Sequence, residues 1–381
     1  MNILFVSDVY PSKELSQYGV FLEQQALALK KLGCAIEVFS PLKKCNNEKI
    51  NFNGINVNYY KLTPQNKIRG ALSTHLPKSD YTYFDKIITG EYDCVSIHFT
   101  NIQIMNTVIR ICKKKKIKVV KHFHGRTPWS NPYEKYKLLS FISFQQKKRI
   151  YNNLDAVICV SKKVENDYHE VKQKVPSFVV LNGVNTELFN TSEKGFFENG
   201  QIKILCVANF IITKGQHLLV NAVANLIKSG YNIKLSFLGR GPEENNIKIL
   251  VKNLDISENV DFYGYLEYQE VAKFMKEYDL FIMPSYFEAI GCVYLEAMAA
   301  GMITVGVEGQ GIDEVITDGM DGFLVPPKSI EPISSLIEKI YRLPQEEILK
   351  ISKNAQKTAR QYTWINSAEQ LKNIYEKIIK Q

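Results

Sequence analysis

Short apolar runs, separated by stretches with helical spacing, recur along the whole chain. The first series is ILFV (3–6), AIEVF (35–39), CVSI (94–97), KVVKHF (118–123), AVICV (156–160) and FVVL (178–181). A second begins at KILCVA (203–208) and continues through IKLSFLG (233–239), VDFYG (260–264), LFIMPS (280–285), ITVGV (303–307) and GFLVP (322–326). Runs this apolar suit strands buried on both faces, with the intervening helices as covers. The pattern predicts an α/β fold of two doubly wound, Rossmann-like units in tandem. Residues 186–202 are polar and hold Gly195 and Gly200, which suits a linker. In YTWINSAEQLKNIYEKIIK (362–380), Trp364, Leu371, Ile374, Tyr375, Ile378 and Ile379 recur at helical spacing and predict a packed amphipathic helix. The expected organisation is an N-terminal domain over 1–187, a C-terminal domain over 188–361 and a closing helix over 362–381.

Composition narrows the class without changing this outline. With 381 residues, 45% of them hydrophobic, the chain can bury two ordinary cores, so a disulfide scaffold and a disordered polymer are both excluded. No window is apolar for long enough to span a bilayer. The opening MNILFVSDVYPS has no basic residue before its apolar run, and Asp8 follows at once, so it reads as a buried strand rather than a secretion signal. Seven cysteines, scattered and without a Cys-x-x-Cys pair, indicate reduced thiols in a cytoplasmic protein. His122 and His124 lie close together but have no cysteine or carboxylate beside them, so no bound metal is expected.

The net charge of +9 is unevenly placed. Residues 1–200 carry 29 basic and 17 acidic side chains, residues 201–381 carry 19 and 22, and residues 101–150 alone hold 13 basic groups against Glu134. Within that segment KKKK (113–116) precedes a strand, and residues 131–153 mix Lys135, Lys137, Lys147, Lys148 and Arg149 with Tyr133, Tyr136, Phe141 and Phe144. Two readings stand: a solvated helix end, or a face over 113–149 that docks on an anionic membrane. No nucleic-acid-binding pattern accompanies the charge, so nucleic acid is not an expected partner.

Gly-x-Gly-x-x-Gly and Walker-type loops are absent, which argues against dehydrogenases and P-loop NTPases. Ligands of open α/β sheets sit at the carboxyl ends of strands, and the richest polar segment there is PSYFEAIGCVYLEAMAAG (284–301). It holds Glu288 and Glu296, with seven residues between them, around a helix that opens near Gly291. The amides of Gly291, Cys292 and Val293 could receive a diphosphate, with the carboxylates accepting from ribose and sugar hydroxyls. Two solvated glutamates flanking a helix are the plainer alternative.

The same run resembles the E-x7-E signature of glycosyltransferase family 4, the retaining GT-B enzymes. Further segments follow in that family's order: Gly19 with VFLEQQALALKKLG (20–33), HFHG (122–125), DAVICVS (155–161), VVLNGVNTELF (179–189), ITKG (212–215) with FLGRGP (237–242), and VDFYGYL (260–266). The resemblance covers essentially the whole chain. It implies two Rossmann-like domains facing a central cleft, with the closing helix crossing back to the first.

Residue by residue, the resemblance implies that Glu296 holds the ribose hydroxyls, that Glu288 lies at the donor sugar and phosphates, and that Lys214 is the diphosphate-binding lysine. His124 is implied to face the donor sugar, whereas His122 reads as a packed, hydrogen-bonded ring. Gly19 would let the diphosphate or acceptor approach the backbone, and Tyr265 lies where the family reads the base. Glu314 reads as structural. The family often has Gly-Arg where this chain has Ala208-Asn209; Arg240 is the candidate substitute for the missing cation. Glu288, His124 and Lys214 are thus the expected catalytic residues. Gly19, Asn209, Lys214, Arg240, Tyr265, Glu288, Gly291, Cys292, Val293 and Glu296 are the expected donor-binding set.

No Asp-x-Asp metal motif occurs, so no metal or other cofactor is expected, and protein cations and amides would stabilise the leaving diphosphate. The implied activity is retaining transfer of a hexose-type sugar from a nucleotide-diphosphate sugar, UDP-linked in the first instance. The acceptor would be a glycan or lipid-linked glycan in bacterial surface polysaccharide assembly at the inner membrane face. A noncatalytic nucleotide-sugar-binding subunit and an epimerase on the same fold are the alternatives. Residues 63–80 and 126–135, which would contact the acceptor, carry no readable pattern.

Overall fold

A computed structural model describes residues 1–12, 19–42, 47–64, 73–125, 137–170, 174–191 and 195–381, with the side chains of 137–143 excepted. Cys45, Arg126, Tyr133, Lys135, Tyr136 and most of the expected acceptor loops lie outside the described residues, as do the side chains of Lys137 and Phe141. The chain divides into two compact units, one formed by Met1–Leu181 with Trp364–Gln381 and the other by Asn182–Thr363. The sequence placed these divisions at 187/188 and 361/362.

The first unit is built on eight strands: β1 (Asn2–Val6), β2 (Ala35–Leu42), β3 (Glu48–Phe52), β4 (Ile55–Lys61), β5 (Cys94–Ile97), β6 (Lys118–Phe123), β7 (Ala156–Cys159) and β8 (Ser177–Val179). Their order in the sheet is β3-β4-β2-β1-β5-β6-β7-β8. All neighbours are parallel except β3 and β4. That hairpin is absent from the sequence reading. Its two-residue Asn53-Gly54 loop, with φ of 49° and 87°, is a turn signal that could have revealed it. The closing helix Trp364–Ile379 packs on the helix Val20–Lys31 within this unit. There Lys372 donates to Leu32 O at 3.0 Å and Ser367 to Leu181 O at 2.8 Å.

The second unit has six parallel strands: β9 (Ile202–Val207), β10 (Ile233–Leu238), β11 (Val260–Gly264), β12 (Leu280–Ile282), β13 (Ile303–Val307) and β14 (Phe323–Val325). Their order is β11-β10-β9-β12-β13-β14. Strand order reverses at β9, so the ends of β9 and β12 form the switch point where such sheets bind ligands. The segment expected to be a linker is partly packed into this unit. Thr186–Phe189 is a helical turn, and Phe189, Phe196 and Phe197 are all buried, which outweighs the polar residues around them.

The lysine run ends the helix Ile102–Lys115. Lys113 and Lys118 pair with Asp155 at 3.5 and 3.8 Å, and Lys114 and Lys115 pair with Asp85 at 3.6 and 3.0 Å. Four of the five lysines over 113–118 are therefore answered by carboxylates. Residues 113–118 thus form a solvated helix end, and much of the rest of 113–149 lies outside the described residues. Among the described residues, no helix is long and apolar enough to cross a membrane.

Candidate active site

Lys214 ends a single 3-10 turn (Ile212–Lys214) after β9, and Glu288 follows β12, the neighbouring strand. The two loops are fastened together: Tyr286 N donates to Thr213 O at 3.0 Å and Ser285 Oγ to the same oxygen at 3.1 Å. This brings Lys214 Nζ into an ion pair with Glu288 Oε2, with only 19% and 13% of the two side chains exposed. Glu288 is held from behind as well. Its N–H donates to Gln310 Oε1 at 3.0 Å, and its carbonyl accepts from Gly311 N at 3.2 Å. The result is a pre-positioned cation beside a fixed carboxylate.

Gly291 caps the helix Cys292–Ala299 with φ 68°. A Cβ there would stand 3.0 Å from the Tyr294 ring and 3.2 Å from the Glu288 carboxyl carbon, so glycine keeps this helix start open beside the ion pair. The first amides of the helix, at Cys292 and Val293, have no partners within it and carry the positive end of its dipole. Cys292 is no nucleophile: burial foremost, with Glu296 adding, pushes its thiol up to about 12, and its sulfur accepts from Asn182 Nδ2 at 3.3 Å. Glu296 lies one turn further on. Burial pushes its carboxyl up to about 7, against the opposing hydrogen bond from Tyr268. Tyr268, which opens the helix Tyr268–Lys276, is absent from the sequence reading.

A second group gathers at the ends of β9, β10 and β11. Tyr265 donates to Asn209 Oδ1 at 3.0 Å, and Gln216 Nε2 donates to Asn209 O at 3.0 Å. The Arg240 guanidinium lies beside Gly264, where an added Cβ would come within 3.1 Å of its Nε. Arg240 is exposed, and among the described residues no carboxylate forms an ion pair with it. The loop that lacks the expected arginine thus has an exposed cation on the adjacent loop, whose Arg240 carbonyl accepts from Phe210 N at 3.0 Å, while the side-chain oxygen of Asn209 is already engaged.

His124 belongs to the first unit. His98 Nδ1 lies 2.9 Å from His124 Nε2, and the rings of Phe21 and Phe99 flank His124 with centroids at 5.1 Å each. Burial foremost, then Lys121, lowers the His124 imidazole to about 3. His122 is the packed ring expected, with Nε2 2.9 Å from the Tyr375 hydroxyl. His98 went unread, although it directly follows β5, where a polar residue after an apolar run is the very signal used elsewhere. Gly19 caps the helix Val20–Lys31 at φ 88° and lies against Val9 and Tyr10.

One nitrogen from each of His98, His122 and His124 lies within 4.8 Å of the others, a spacing that admits a metal. The ring planes meet at 34°, 24° and 19°. His98 and His124 also already face one another through a hydrogen bond.

Residues 19–188 match the family model described as Glycosyltransferase Family 4, and residues 189–358 match the one described as Glycosyl transferases group 1. The chain belongs to the family 4 glycosyltransferases. Among relatives in this family, the uncharacterized glycosyltransferase MJ1178 of Methanocaldococcus jannaschii is 28% identical over 229 residues, 59% of this chain and 60% of that protein. The putative colanic acid biosynthesis glycosyltransferase WcaL of Escherichia coli is 26% identical over 160 residues, 40% of this chain and 39% of that protein. The chain therefore spans less than two thirds of the length of either. The structure of Anabaena Alr3699/HepE in complex with UDP-glucose is alike in fold, with a TM-score of 0.77 at 18% identity over 99% of this chain and 100% of that one. The architecture is GT-B. In this family 4 chain, the ion pair of Lys214 with Glu288 and the helix start at Gly291 occupy the switch point of the second sheet.

Proposed function

We infer that the protein moves a hexose-type sugar from a nucleotide-diphosphate sugar, UDP-linked in the first instance, to a glycan or lipid-linked acceptor. The observation that carries this reading is Lys214 paired with Glu288 beside the open helix start at Gly291. A sugar leaving a diphosphate puts negative charge on the phosphate oxygens, and a fixed cation with helix amides stabilises that charge without a metal. Glu296 would accept from the ribose hydroxyls. Retention of configuration is part of the proposal, with the leaving phosphate taking the acceptor proton, as is a cytoplasmic setting in bacterial surface polysaccharide assembly. WcaL, named for colanic acid biosynthesis, supports that setting by analogy.

Thermal denaturation with UDP, GDP or ADP, each with and without EDTA, tests the reading. At about 100 times its dissociation constant, a ligand adds roughly 2.7 kcal/mol of stability. UDP is expected to raise Tm equally with and without EDTA. No rise with any of the three would remove the nucleotide-sugar reading, and a rise lost to EDTA would remove metal independence.

The raised Glu296 carboxyl gives a pH dependence of defined sign. Above about 7 it is ionised and accepts two hydroxyls; below, it is protonated and loses acceptor capacity. Nucleotide affinity is expected to fall roughly tenfold from pH 8 to pH 6 through this group alone. Because the nucleotide phosphate titrates as well, the measurement is calorimetric affinity at both pH values for wild type and Glu296→Gln. The variant should lack this component of the fall. Equal falls in both proteins would take Glu296 out of the nucleotide site.

A further inference from the structure

At the carboxyl ends of β5 and β6 the first unit holds a row of buried polar groups of which the transfer reading uses only His124. Tyr375, on the closing helix, donates to Ser96 Oγ at 3.1 Å, and its oxygen lies 2.9 Å from His122 Nε2. Ser96 Oγ lies 3.0 Å from His98 Nε2, and His98 Nδ1 lies 2.9 Å from His124 Nε2. Ser96, His98 and Tyr375 are fully buried and His122 is 1% exposed. Two ring nitrogens, His122 Nδ1 and His124 Nδ1, are buried without a hydrogen-bond partner among the described residues.

The direction of the first bond orders the rest. Tyr375 has one proton and gives it to Ser96, so its oxygen accepts from His122, which carries its proton on Nε2. The Ser96 proton then goes to His98 Nε2. That leaves the His98 proton on Nδ1, where it is donated to His124 Nε2, and the proton of His124 must sit on Nδ1. With the last two links reversed, Ser96 would accept twice and its own buried proton would have no acceptor. The first direction leaves one orphaned group fewer, and a buried orphan costs the desolvation of that group. Burial keeps all three imidazoles neutral, so each carries a single proton to place.

We propose that the Tyr375–Ser96–His98 chain fixes His124 as its Nδ1–H tautomer, a hydrogen-bond donor at Nδ1 and not a base. Ser96, His98 and Tyr375 are then positioning residues for His124. The tautomer stands on the geometry of the first unit alone, apart from the transferase reading.

Long-range 1H–15N correlation of the imidazoles in the full-length 15N-labelled protein at pH 7.5 tests the chain without any assay of activity. The expected pattern is Nδ1–H for His98 and His124 and Nε2–H for His122. A His124 that is Nε2–H or cationic overturns the proposal, and so does a joint shift of all three rings on adding Zn2+, which would identify a metal site instead. Ser96→Ala should leave His124 in mixed tautomers and Tyr375→Phe should do the same; a single unchanged tautomer in a folded variant also overturns it.

Discussion

Lys214→Ala is expected to lower turnover by about 10²–10³-fold while leaving the protein folded. That is the scale on which removing one pre-positioned group from a developing negative charge is felt. The side chain sits on the short 3-10 turn after β9 and belongs to no helix or strand of the core, so its loss should leave the fold intact. What it does leave is Glu288, 13% exposed, without its partner. An unpaired carboxylate that well shielded is costly, so the single variant should melt somewhat lower than wild type. The double variant Lys214→Ala/Glu288→Gln separates the two effects, because removing the orphaned charge should recover the melting temperature but not the turnover. Turnover within a few-fold of wild type in the single variant would take Lys214 out of the chemistry.

Gly311→Ala is expected to cost about 3 kcal/mol of stability and nearly all activity. A Cβ at this position would lie 1.5 Å from the carbonyl oxygen of Ala289 and 2.3 Å from its carbon. Both are backbone atoms, so no side chain can rotate away, and one of two loops must move. The loop that moves carries Glu288, whose carbonyl is held by Gly311 N and whose N–H is held by Gln310. The nearby Gly309 is the control. It has φ 67° and nothing within 4 Å of an added Cβ, so alanine there meets only backbone strain, about 1 kcal/mol. Thermal melts of both variants check the argument, and wild-type melting of Gly311→Ala would refute it.

The strands were legible because buried parallel strands leave near-continuous apolar runs, and KVVKHF or ITVGV has few other uses. The hairpin Glu48–Lys61 was not, since an edge strand such as EKINF is half polar and looks like loop. Lys214, Glu288 and Glu296 were each readable from their motifs and their places after strands or in a helix. Their mutual geometry was not, because Lys214 meets Glu288 across 74 positions of chain through the adjacency of β9 and β12, which local pattern does not encode. The same limit hid the histidine chain. His98 and His124 meet because β5 pairs with β6, and Tyr375 arrives from the far end of the sequence. Glu296 and Tyr268 show a subtler case: residue type suggested a hydrogen-bond acceptor, but only the folded surroundings show that desolvation pushes this carboxyl up to about 7.

The discontinuous first unit also orders events during synthesis. Ser96 and His122 emerge early, yet the hydroxyl that pairs with both belongs to Tyr375 and leaves the ribosome only after the whole of Asn182–Thr363. At typical elongation rates that interval lasts roughly ten seconds or more. Throughout it, the nascent first unit carries two buried-type polar groups without their Tyr375 partner and a bare face on the helix Val20–Lys31, whereas the second unit has all of its own chain as soon as the interval ends.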